Sequence, residues 1–69
     1  MIEPQKVDAA RLLKFIARVQ QWLKAGDLRG KPFLDAGAVV ISAGRFAFHR
    51  ERFCKLATEY FEQGKDLEP

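Results

Sequence analysis

The sequence predicts an α+β domain: a long N-terminal helix, a two-stranded antiparallel hairpin and a C-terminal helix. Three observations carry this expectation. Leu12, Ile16, Val19 and Leu23 recur at helical spacing and lie in one stripe. Two short apolar runs flank Ala43-Gly44 and alternate in the manner of paired strands. Phe53, Leu56, Ala57, Tyr60 and Phe61 form a second helical stripe ahead of Gly64.

Taken in order, residues 1–6 read as a frayed start, with Pro4 suited to a first helical turn. Asp8 can accept from the free amides that open the helix "DAARLLKFIARVQQWLKAG". Phe15 and Trp22 widen its apolar stripe on one side, and Ala9 and Leu13 on the other. Arg11, Lys14, Arg18 and Gln21 fall on the opposite face. Gly26 stops the helix, because glycine tolerates the left-handed conformation found just past a helix end.

Residues 27–36, "DLRGKPFLDA", read as a loop with a short extended piece at Phe33-Leu34. A two-residue turn at Ala43-Gly44 then pairs Ser42 with Arg45, Ile41 with Phe46, Val40 with Ala47 and Val39 with Phe48. Side chains alternate along a strand, so Val39, Ile41, Phe46 and Phe48 share one bulky face. A one-residue slip would turn phenylalanine into water. The second helix, "RERFCKLATEYFEQG", follows, and residues 64–69 read as a frayed polar tail. Both helices are expected to pack on the bulky face of the hairpin.

The 69 residues allow a single small domain. Its core is thin and both edges of a two-stranded sheet are open, so a third strand from residues 33–36 or from a second copy would help; a homo-oligomer is expected. Cys54 is the only cysteine and His49 the only histidine, which excludes an internal disulfide and argues against a metal site; no cofactor is expected. The sequence opens without a basic-then-apolar leader pattern. It has no apolar run near the roughly 20 residues of a membrane span. With the lone cysteine, these features point to a cytoplasmic protein without membrane contact.

Catalysis is not expected. Cys54 and His49 are the only nucleophile–base candidates, and Cys54 sits at the edge of a helical stripe as a small buried hydrophobe would. Duplex DNA is the leading partner class. The net charge is +3, and residues 1–31 hold seven basic residues against three acidic ones. Phosphate contacts are expected from Arg11, Lys14, Arg18 and Lys24 on the first helix, Arg29 and Lys31 in the loop, Arg45 at the hairpin tip, and Arg50 and Arg52 at the strand–helix junction. The alternative is a protein-interaction module that regulates a larger protein without touching nucleic acid. Trp22, Phe33 and a hairpin edge would form that contact.

Residues 22–53 resemble the small winged-helix-like domain at the C-terminus of MobH-type conjugative relaxases. The likeness runs through Trp22-Leu23, Gly26, Gly37-Ala38-Val39-Val40, Gly44, Phe46, Phe48 and Phe53. It implies a winged-helix-like αββα arrangement and an origin in a plasmid or phage. It also implies a role in DNA transactions or their regulation, with no catalytic residue carried over. The functional expectation is thus a non-enzymatic DNA-binding or DNA-transaction accessory protein.

Overall fold

The computed structural model describes residues 8–67. Pro4 and the N-terminal segment expected to fray lie outside them. Helix α1 spans Ala9–Ala25, a short helix α2 spans Lys31–Asp35, strands β1 and β2 span Val39–Ser42 and Arg45–Phe48, and helix α3 spans Arg50–Gln63. The α+β order of long helix, antiparallel hairpin and C-terminal helix is therefore present.

Each cap has a chemical cause. The Asp8 carboxylate accepts the Ala10 amide at 3.0 Å and opens α1. Gly26, left-handed at φ 70°, closes it. The next segment departs from the expected loop. Asp27 accepts the Arg29 amide at 2.9 Å and starts a 3₁₀ turn over Leu28–Gly30, which leads directly into α2. Gly30 lies so close to α1 that an added Cβ would sit 2.8 Å from Leu23 Cδ2. Phe33, expected in an extended piece, is helical because one turn of helix drives its ring fully into the core. Pro32 suits that first turn, where its missing amide costs no hydrogen bond.

The hairpin has the expected register, Val39 with Phe48 through Ser42 with Arg45. Its turn places Ala43 at φ 51° and Gly44 at φ 76°. Two positive φ values give the turn the twist that matches paired strands. Glycine adopts this freely, whereas alanine is strained there by about 1 kcal/mol or more. The His49 amide donates to the Ala38 carbonyl at 2.8 Å and extends the ladder by one pair. His49 Nδ1 also accepts the Arg52 amide at 3.2 Å and caps α3.

The core is aromatic and centred on Phe15. Its ring meets Trp22, Phe33, Phe53, Tyr60 and Phe61 with centroids 5.3–6.2 Å apart. Edge-to-face and tilted pairs of this kind add to the burial of apolar area. The buried arc of α1 is accordingly Phe15, Val19 and Trp22, with Leu12, Ile16 and Leu23 half-buried beside it. Leu13, expected on the margin of the stripe, is 66% exposed. The arc has turned toward the larger aromatic side chains, which have more area to bury.

The hairpin is covered most fully at its base. Val39 is buried, and Phe48 packs edge-on against Phe53 with centroids 5.1 Å apart. Two residues along the same face, Ile41 is half exposed. Phe46, its cross-strand partner, is half-buried and packs against the core. The expectation that the whole bulky face is covered therefore fails at Ile41.

Candidate nucleic-acid interface

The basic side chains divide into those tied into the fold and those left to solvent. Arg11 belongs to the first group. Its Nε and Nη2 donate to the two carboxylate oxygens of Asp66, each at 2.6 Å. Its guanidinium also lies 4.5 Å from the centroid of Phe61. This fork-to-fork pairing is the strong form of an Arg–carboxylate contact. Asp66 is 2% exposed, on a 3₁₀ turn over Lys65–Leu67, so the tail expected to fray is anchored there. The Arg11 hydrogen bonds hold the Asp66 carboxyl below the usual carboxylate range, against the opposing effect of burial, and the charge of Arg18 adds to this. Arg11 therefore staples the C-terminal turn to α1 and does not stand on an open basic face.

Arg29 is also engaged. Its Nε and Nη2 donate to one Asp27 oxygen at 3.0 and 2.6 Å, and its guanidinium lies 5.1 Å from the centroid of Trp22. Arg18 is half-buried on the flank of α1 that faces Asp66. By contrast, Lys14 and Lys24 on α1, Lys31 at the start of α2, Arg45 at the hairpin tip, and Arg50 and Arg52 in the first turn of α3 are all exposed. Among the described residues the ion pairs are Arg11–Asp66 and Arg29–Asp27, and these six cations enter neither.

The pleat places Arg45, Ala47 and His49 on one face of β2, the face opposite Phe46 and Phe48. That face leads to Arg50 at the helix start, so exposed Arg45 and His49 on the hairpin are followed by exposed Arg50 and Arg52 on α3, with Glu51 between the last two. Arg52 and Lys55 line a shallow cleft with Ala36, Leu56 and Glu59. Arg52, Lys55 and Glu59 share one side of α3 by helical spacing, and the packing of α3 beside Ala36 makes that side a cleft wall.

Trp22 and Phe33, the two aromatic residues expected at a protein contact, are 7% and 0% exposed. Both are core residues and offer no surface to a partner. Trp22 marks the end of the stripe in sequence, but the 3₁₀ turn and the Arg29 guanidinium close over it. Among the described residues the exposed large apolar groups are instead Leu13, Leu28, Leu34, Val40 and Ile41.

His49 has its Nδ1 lone pair occupied by the Arg52 amide, so that nitrogen is not poised against Cys54 as a base. No cluster of three His, Cys, Asp or Glu that could hold a metal occurs among the described residues. No helix among them is long and apolar enough to cross a membrane. Comparison with models of protein families, with curated proteins and with solved structures yields no match.

Proposed function

We propose that this is a non-enzymatic DNA-binding or DNA-transaction accessory protein. The observation that supports the reading is the set of six exposed cations outside the ion pairs, three of which (Arg45, Arg50 and Arg52) ride on the hairpin and the start of α3. Lys/Arg groups with no carboxylate partner have nothing to give up when they meet a phosphate, and the counterions they release drive association. The positive end of the α3 dipole adds to the attraction for an anionic backbone. Arg45 at the tip would touch the backbone or minor groove, with Lys14, Lys24 and Lys31 as outlying phosphate contacts. Arg11 is left out of the contact set, because breaking its Asp66 pair would strand a buried carboxylate. The resemblance to the relaxase domain adds a mobile-element setting, plasmid or phage, to the same reading.

Fluorescence anisotropy with a labelled duplex tests it. Binding is expected at about 50 mM salt and micromolar protein, weakening linearly in log salt. Reversing Arg45 and Arg50 to Glu should lower affinity at least about tenfold and flatten the salt slope by about 2, one phosphate contact per residue. Absence of duplex binding by the wild-type chain at that salt would end the DNA reading. The exposed Val40 and Ile41 favour the second reading, a protein-interaction module that acts through the hairpin without Trp22 or Phe33.

A further inference from the structure

Helix α3 divides by charge along its length. Its first half exposes Arg50, Arg52 and Lys55 with one carboxylate, Glu51, and its second half exposes Glu59 and Glu62. Ala36, just past α2, faces the side that carries Arg52, Lys55 and Glu59, and with Leu56 it gives the cleft between them an apolar part. The cleft holds about 360 Å³. That is near the lower end of the roughly 300–1,000 Å³ common for small-ligand sites.

Arg52 is seated in this cleft but not consumed there. Gly37 is left-handed at φ 70°, and the guanidinium fills the space that a side chain at this position would take: a Cβ would lie 2.7 Å from Nη1. The turn before β1 thus sets where the guanidinium stands. Its donors nevertheless meet no acceptor among the described residues, and it enters no ion pair. Lys55 enters none either. Glu59 lies four residues after Lys55, the order in which a helical Lys/Glu pair is weak, and it leaves the ammonium available. Arg11 and Arg29 differ, because each has a carboxylate within 2.6 Å.

We infer that this cleft is a phosphate site, in which the Arg52 guanidinium and the Lys55 ammonium hold one phosphate group between them. Residues three apart on a helix have Cβ atoms about 5–6 Å apart, so two long cationic side chains converge on a single anion. The guanidinium offers parallel N–H groups to two phosphate oxygens, and the ammonium brings a point charge to a third. A carboxylate has no third oxygen to offer. A guanidinium already seated against Gly37 also loses less freedom on binding than a loose one. Glu59 sets the limit of the site by repelling a second anion along α3, and Glu62 repeats this one turn on. A phosphate chain entering the cleft therefore crosses α3 and does not follow it. The phosphate belongs either to a duplex backbone or to a free phosphate ester. The first source rests on the DNA reading, to which it adds Lys55 and a direction of approach.

Amide NMR of the full chain tests the inference, with titrations at constant ionic strength of inorganic phosphate and, separately, of a short duplex. The amides of Ala36, Lys55 and Leu56 should shift with both, saturating at about 1–10 mM phosphate, as befits an exposed site. Lys55→Gln should abolish the phosphate shift and leave the melt unchanged, because the side chain is exposed. In the duplex arm, Arg52→Gln combined with Lys55→Gln should lower affinity about tenfold and reduce the salt slope by about 1, the single shared phosphate. A reduction of about 2 would mean two separate phosphates and overturn the shared site. Movement of the cleft amides with phosphate alone assigns the site to a free phosphate ester. Duplex binding with those amides unmoved leaves the DNA reading standing and sinks this inference. Cleft amides that move with neither ligand, or a phosphate shift that survives Lys55→Gln, overturn it outright.

Discussion

Val39 and Ile41 lie on the same face of the same strand, two residues apart, and their surroundings are opposite. Val39 is 2% exposed beneath the aromatic cluster, and Ile41 is 50% exposed above it. The pleat decides which way a side chain points, but neighbouring elements decide whether anything lies there. At the base, Phe33 of α2 and Phe53 of α3 stack with centroids 5.6 Å apart, and Phe48 joins Phe53. Nearer the tip, Phe46 still packs partly against the core, while Ile41 opposite it is left half open. The base of the hairpin is thus part of the core, Phe46 lies at its margin, and Ile41 and Arg45 are surface.

The difference can be tested from its heaviest point. Phe15→Ala removes the ring that touches five others and should cost about 3–5 kcal/mol. In a domain this small that approaches the whole stability, so the variant should lose its near-ultraviolet circular dichroism and its cooperative melt. If it melts like the wild type, the aromatic hub is not the centre of the fold. Truncating the two hairpin positions comes next. Val39→Ala should cost about 2 kcal/mol and Ile41→Ala less than about 1 kcal/mol, read by urea denaturation at low protein concentration. Equal costs would show that the tip is covered in solution even in the single chain.

The smallest expected effect concerns Asp66. Its folded carboxyl titrates below its unfolded value, so the unfolded chain binds a proton first as pH falls. The stabilisation is complete well above the unfolded value of about 3.9, and drains as pH drops through it toward the depressed folded value. Asp66→Asn should lower the melting temperature by about 5 °C near neutral pH and flatten the acid limb of the stability profile. An unchanged acid limb would mean that the Arg11–Asp66 staple does not hold the C-terminal turn.

Much of this chain was legible in its residues because the signals were local. Alternation fixes facing in a strand whatever lies beyond it, so the register about Ala43-Gly44 could be read directly. Asp8, Gly26 and Gly64 mark the helix ends for reasons confined to one turn of backbone. The candidate interface was less legible. Arg11 reads as one more cation on a basic helix face, and nothing near it in sequence reveals a carboxylate 55 residues away. Trp22 reads as an exposed margin because the 3₁₀ turn that covers it is built from "DLRG", a stretch with the composition of a loop.

The sequence by itself determined the elements, their order, the hairpin register and the face of each strand, because these follow from backbone periodicity and caps that act over a few residues. Only the tertiary structure decided which basic groups are consumed and which apolar ones are left open. That choice depends on contacts between residues far apart in the chain: Arg11 with Asp66, Phe15 with Phe33 and Phe61, and α2 folded beneath the base of the hairpin but not its tip.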